Sequence, residues 1–333
     1  MLRTAGHRLR GLSRHGQGMI ISASRRTDLP ALYAPWLLNR ARAGWCAVPN
    51  PFNPRQVARV SLRPEDVDAL IFWSRWPAPL TARLGELESL GLARSLFLIT
   101  LLDSPRVLEP RQPPLRKRIE AFCELAERIG PERVVWRYDP IVISDPTSED
   151  WHARTFARLA EALRGKTRRC IVSFLEIYKK LRPRLRGLRG QGLNVEERPQ
   201  ASAPELLPRL AAIAARNGMR LQTCAQSEDW TELGAPPGAC VDPILLNELF
   251  GLGLPTRADP HQRAHCLCAP SRDIGMYDSC TFGCAYCYAT RDVARSRANR
   301  AAHDPLSPSL LGRFEPPASQ AALPGLDRSG SRS

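Results

Sequence analysis

Apolar runs of three to five residues recur along the chain, each closing on polar residues and most leading into a stretch with helical spacing. Eight of them read as strands: 20–24, 45–48, 69–73, 96–99, 134–136, 170–172, 220–222 and 274–277. Helical spacing follows at 31–43, 79–91, 113–130, 150–165, 203–217 and 288–302. Short buried strands alternating with helices predict a parallel sheet in an α/β fold. About eight units in this length predict a (β/α)8-type barrel or an open, partial TIM-like barrel. A doubly wound α/β sheet is the architectural rival. The second unit is weak, because Pro51, Pro54 and Pro64 give 51–64 the look of a loop. In such barrels function gathers at the C-terminal ends of the strands, and all eight runs end there in polar or functional residues.

One α/β barrel domain is expected over 19–314, with the cysteine-rich region at 266–290. Residues 182–202, rich in Arg, Gly and Gln, read as a flexible insertion, and 315–333 as a disordered tail. Residues 1–18 carry four arginines and no acid, and read as a disordered basic extension with Met19 as the fitting initiator. They lack the apolar core of a secretory signal, and no run reaches membrane-helix length, so the expected compartment is the cytosol and no membrane partner is expected. The net charge is +15, but only four of the 48 basic residues are lysine and the arginines are spread along the chain, which reads as codon bias before it reads as a nucleic-acid surface.

Five of the ten cysteines fall between Cys266 and Cys287. The last three form Cys280-Thr-Phe-Gly-Cys284-Ala-Tyr-Cys287, a C-x3-C-x2-C loop after a strand and before a helix. Three thiolates on one loop can hold three irons of a 4Fe–4S cubane and leave the fourth open for a small molecule, with S-adenosylmethionine the usual one at this spacing. Backbone amides near the helix start would stabilise the cluster's charge, Gly283 would permit the turn, and Tyr286 would lay its ring near a bound adenine. A structural zinc site is the alternative, with Cys266 or Cys268 as the fourth ligand. Cys224, Cys240, Cys266 and Cys268 offer a second, coordinatively complete cluster; otherwise Cys224 and Cys240 are small buried hydrophobes. His265 is a lesser ligand candidate, and Cys46, Cys123 and Cys170 read as core.

Other candidates end strands. Arg25 and Arg26 could grip a carboxylate or phosphate, while Asp28 caps a helix before Pro30. Arg137 and Asp139 fit a substrate contact or a bland ion pair, and Glu176 a ribose or amine contact or a solvated loop acid. Asn50 and Asn53 fit a turn among prolines. No phosphate loop, dinucleotide fingerprint or zincin helix is present.

The passages Met19-Ile-Ile-Ser-Ala-Ser-Arg-Arg-Thr-Asp28, Pro49-Asn-Pro-Phe-Asn-Pro54, Trp136-Arg-Tyr-Asp-Pro140, Thr223-Cys224-Ala, Cys266-Leu-Cys268 and Asp273-Ile-Gly-Met-Tyr, through the cysteine loop to Ala289, carry a resemblance. The chain resembles an uncharacterised bacterial family, a domain of unknown function with a radical-S-adenosylmethionine-like cysteine cluster at its C-terminus. Its members are often labelled DNA repair photolyases by likeness to spore photoproduct lyase. The resemblance implies a radical enzyme with one or two 4Fe–4S clusters, S-adenosylmethionine as small-molecule cofactor and a one-electron donor such as flavodoxin or ferredoxin. Its substrate would be a nucleic acid or nucleotide if the basic surface is functional. Two features depart from the wider radical superfamily: the triad follows the last strand rather than the first, and a Gly-Gly-Glu turn is missing. The competing functions are a zinc-stabilised nucleic-acid-binding protein and an iron–sulfur electron carrier or redox sensor.

Overall fold

The structure is a computed structural model, described for residues 18–317. The N-terminal extension, Gly18 apart, and the tail beyond residue 317 lie outside the described residues. The chain runs β1 (Met19–Ser22), α1 (Leu29–Leu32), α2 (Ala34–Ala43), β2 (Trp45–Pro49), β3 (Val57–Ser61), β4 (Val67–Ser74), α3 (Ala78–Thr81), α4 (Leu84–Ser89), β5 (Ser95–Thr100) and α5 (Leu115–Ile129). It continues through β6 (Val134–Ile141), α6 (Glu149–Ala162), β7 (Arg169–Phe174), α7 (Arg182–Arg189), α8 (Ala203–Arg216), β8 (Arg220–Cys224), β9 (Pro237–Gly238), α9 (Pro243–Phe250), β10 (Arg272–Asp273) and α10 (Val293–Ala301).

Eight strands form one parallel sheet in the order β10-β1-β4-β5-β6-β7-β8-β9. β9 and β10 have one neighbour each, so the curled sheet is an open half-barrel and not a closed (β/α)8 barrel. From β1 to β9 the order never reverses, so the switch point of a doubly wound sheet is missing.

Three expectations need correcting. The run at 45–48 is not a sheet strand: β2 pairs antiparallel with β3, from Trp45 opposite Ser61 to Pro49 opposite Val57. The intervening proline-rich segment is a tight reversal in which the Asn50 side chain accepts from the Phe52 amide at 2.9 Å and donates to Gln56 at 3.0 Å. Part of the supposed loop at 51–64 is therefore strand. The eighth sheet strand is instead β9, two residues without an apolar run to mark them. The supposed insertion at 182–202 contains α7, whose Leu188 is buried.

Side chains alternate between the two faces of the sheet. Ile21, Leu70, Phe72, Phe97, Ile99, Val134, Trp136, Cys170 and Val172 join the core shared with the helices. Ile20, Ala69, Ile71, Trp73, Leu96, Leu98, Val135 and Ile171 face the concave side, where they pack with Leu245 and Leu246 of α9 and with Cys224, Cys240, Cys266 and Cys268. A parallel strand buried on both faces reads as a continuous apolar run, and β4, buried along all eight residues, shows it from Ala69 to Trp73.

His152 of α6 lies in the helix-side core, its Nδ1 2.7 Å from the Tyr138 hydroxyl and its Nε2 3.0 Å from the Val142 carbonyl. Burial lowers its pKa to about 4 from an ordinary 6.5. A histidine depressed in this way stabilises the fold above 6.5 and loses that contribution as pH falls towards 4, a difference of roughly 3 kcal/mol. His152→Gln is expected to be less stable at neutral pH but to lose less on acidification, read from urea midpoints at pH 7.5 and 4.5. Equal pH dependence in both proteins would show that the imidazole is not held neutral.

Candidate functional site

The cysteine loop starts from the edge strand β10, which pairs with β1, so the chain's last strand stands beside its first. From there the loop folds over the C-terminal ends of the strands and packs with Leu108, Val142, Leu175 and Ile177, which follow β5, β6 and β7. Polar anchors fix it to the loop after β1. Asp273 accepts from Ser24 Oγ at 2.7 Å and from the Arg25 amide at 2.9 Å, and pairs with Arg26 at 3.1 Å. Thr27 meets Ser279 at 2.6 Å, and Tyr33 donates to the Ser279 carbonyl at 2.8 Å. At Gly275 the two loops approach so closely that a Cβ would stand 2.1 Å from Ser24 Oγ. Gly283 adopts φ +71°, where a side chain is strained, so the expected turn glycine is found.

Cys284 is buried, and Cys280 and Cys287 are half-buried. The Cys280 thiol feels Cys287 and Cys284, and Cys284 feels Cys287, but no hydrogen bond ties the three sulfurs together. Burial pushes the Cys280 thiol up and raises Cys284 to about 12. The helix expected from residue 288 begins at Val293 and is capped by Asp292, so its first amides are taken there rather than at the triad.

Tyr286 turns inward. It is buried, donates to Glu109 and accepts from Arg75 Nη2 at 2.8 Å. Tyr288, two residues on, is 40% exposed and donates to the Arg25 carbonyl at 2.5 Å. Asp28 caps α1 through the Ala31 amide at 3.0 Å and accepts from Ser74 Oγ at 2.7 Å and the Arg75 amide at 2.6 Å. Burial raises it to about 6 despite these donors.

The other four cysteines converge on the concave face. All are buried, and the Cys224 and Cys240 sulfurs are 3.3 Å apart. The neighbouring Cys224, Cys240 and Cys266 thiols draw the Cys268 thiol towards the thiolate. The Val241 amide also donates to Cys268 Sγ, at 3.3 Å. Among the described residues no group of three or more His, Cys, Asp or Glu side chains is arranged to hold a metal ion as it stands. A tetrahedral zinc site with 2.3 Å bonds sets its sulfurs about 3.8 Å apart, so Cys224 and Cys240 must open by about 0.5 Å to take one.

Arg25 lies over the Trp73 ring at 5.0 Å, and its charge is felt from Cys268 and Cys240. Arg137 pairs with Asp139, which also accepts from Ser173. Arg25 Nη2 and Arg137 Nε are buried without a partner. Arg26 is held by Asp273 and lies over the Tyr277 ring. Glu176 is exposed and pairs with Arg263, as a solvated loop acid does. Cys46 and Cys170 are core, and Cys123 packs against it.

The sequence reading missed the Arg75–Glu109–Arg118 group behind the cysteine loop. Arg75 and Glu109 are 2.7 Å apart, Arg118 and Glu109 4.0 Å, and all three side chains are largely buried. Its only linear signal is charge beside apolar runs. An open concavity of about 510 Å³ flanks the loop on the outside, lined by Arg111, Thr281, Phe282, Arg297 and Arg300. Elsewhere arginines pair locally, as Arg42 with Glu86, Arg128 with Glu88 and Arg158 with Asp103.

A parallel α/β half-barrel with a cysteine loop across its strand ends defines the class of protein. The chain belongs to the family of the domain of unknown function DUF1848, whose profile matches residues 20–289. No curated protein matches it. Among the described residues no helix is long and apolar enough to cross a membrane.

Proposed function

We propose that the protein is an iron–sulfur enzyme of the radical S-adenosylmethionine type, with Cys280, Cys284 and Cys287 as the ligands of a 4Fe–4S cluster. The observation that carries this reading is the position of the triad. Its loop leaves an edge strand of a parallel half-barrel, beside β1, and lies over the strand ends where such folds place their chemistry. Three thiols on one short loop suit a cubane with three protein ligands and one open iron. A cluster held by Cys280, Cys284 and Cys287 would supply one-electron reductive chemistry towards S-adenosylmethionine.

The chain's own residues hold the loop and offer charge. Asp273, Ser279 and Gly275 fix it against the loop after β1. The unpartnered N–H groups of Arg25 and Arg137 suit a carboxylate or phosphate. Asp139 and Ser173 extend the polar side of the mouth. Substrate identity, including a nucleic acid or nucleotide, is a further step within this proposal. The arginine-lined concavity against Thr281 and Phe282 suits an acidic one-electron donor of the flavodoxin or ferredoxin kind. Arg111→Glu with Arg297→Glu is expected to slow cluster reduction by flavodoxin at least about tenfold at low salt while leaving dithionite reduction unchanged. Equal slowing with both reductants would point to a damaged loop instead. The function is tested by reducing anaerobically purified protein with S-adenosylmethionine present and measuring 5′-deoxyadenosine; none from an iron-loaded protein overturns it.

A further inference from the structure

We propose that Cys224, Cys240, Cys266 and Cys268 hold a single zinc ion in a closed structural site on the concave face of the half-barrel, separate from the triad and not a second cubane. The four residues come from three places: the end of β8, the segment between β9 and α9, and the coil before β10. Chance burial of small hydrophobes does not readily gather four thiols from three stretches of chain into one buried cluster, two of them 3.3 Å apart. Their spacing separates this set from the triad. The 3.3 Å between Cys224 and Cys240 is close to the edge of a zinc–thiolate tetrahedron, and a cubane would have to push the sulfurs much farther apart. Four soft sulfur donors that close into a tetrahedron around an ion suit zinc among the common single ions.

The surroundings fit a zinc tetrathiolate, which carries two negative charges. Arg25 lies close enough to feel Cys268 and Cys240, Arg137 acts on Cys240, and Arg263 on Cys224. Two of these guanidiniums, Arg25 and Arg137, carry buried N–H groups without a partner, a poor arrangement beside neutral thiols and a good one beside a dianion. The Val241 amide already donates to Cys268.

The site has a mechanical role that the fold needs. Between α9 and β10, residues 251–271 contain no helix or strand, yet they cover the concave face. Few backbone bonds hold them, among them Asp259 to Cys268 at 2.8 Å and Ala269 to Val241 at 2.9 Å. An ion bound to Cys266 and Cys268 from this coil and to Cys224 and Cys240 from the sheet side would staple the coil down. It would also set the approach to β10 and hence the start of the triad loop.

The test uses the full chain purified without oxygen, in a variant lacking Cys280, Cys284 and Cys287. About one zinc per chain with no acid-labile sulfide is expected. About four irons with sulfide, or a folded protein without metal, overturns the proposal. Because triad iron is absent from this variant, the result does not depend on the radical reading. Cobalt(II) added alone to metal-free wild-type chain gives a second readout. Visible bands of tetrahedral cobalt thiolate are expected, along with slower proteolysis at 251–271, and both are lost in Cys266→Ser/Cys268→Ser. Bands that persist in that variant, or none in the wild type, overturn the assignment.

Discussion

Alanine at Cys280, Cys284 and Cys287 together is expected to take cubane iron and sulfide from about four of each per chain to none, and 5′-deoxyadenosine formation with it. The effect is all-or-none because the three thiols share one loop and one cluster, so loss of any two leaves too few ligands to hold a cubane. Stability is expected to change little in comparison. Cys284 is the only fully buried member, and trimming one small thiol in the cluster of Leu108, Phe282 and Tyr286 removes little apolar contact. Circular dichroism and the urea midpoint then separate lost ligation from lost fold. Iron that stays with the chain in a folded triple variant would sink the assignment.

The parallel sheet was legible because its strands are buried on both faces, which leaves continuous apolar runs such as that of β4. Seven of the eight runs mark sheet strands, the last shifted by two residues, since β10 is Arg272–Asp273 and the apolar Ile274 follows it. Trp45 to Val48 was misleading because a hairpin packed on one side carries the same local signal as a sheet strand; only pairing partners distinguish them, and those are not local. β9 could not be read at all, because Pro237 and Gly238 owe their strand geometry to β8.

The site divides in the same way. Cysteine spacing along the chain pointed to the triad, and the turn at Gly283 is where the motif placed it. The convergence of Cys224 and Cys240 with Cys266 and Cys268 was no more than an arithmetic possibility, since it depends on how the coil folds back over the sheet. Tyr286 was assigned to a ligand from its place in the motif alone. Its inward turn is dictated by Glu109, far away in sequence, which no local pattern reveals. Arg26 likewise looked free until Asp273 was found beside it.

Glu109→Ala is expected to be the most destabilising single substitution in the loop's support, by about 3–5 kcal/mol, because it strands buried charge. Glu109 is 2% exposed, and its carboxylate receives Arg75 at 2.7 Å and the Tyr286 hydroxyl, with Arg118 at 4.0 Å. Burial opposes the Arg75 charge, yet Glu109, Tyr286 and Cys284 together raise its pKa well above the ordinary value. Arg118 is lowered by burial, with Arg75 adding repulsion that Glu109 offsets. Without the carboxylate, two guanidiniums face each other in a buried space. A loss of this size is a large share of the 5–15 kcal/mol typical of a folded domain. Glu109→Gln should fall between, since it keeps an acceptor for Tyr286 but not the charge. Tyr286→Phe should cost about 2 kcal/mol, since it removes the hydrogen bonds to Glu109 and from Arg75 but leaves those two charges paired with each other. The comparison also reports on the site, because Tyr286 lies between Cys284 and Cys287. If the buried charge group holds the loop in place for the cluster, iron retention should follow the order wild type, Tyr286→Phe, Glu109→Gln, Glu109→Ala, as the urea midpoints do. A Glu109→Ala protein within about 1 kcal/mol of wild type would mean that water or a rearranged neighbour satisfies both arginines, and that the group does not brace the loop.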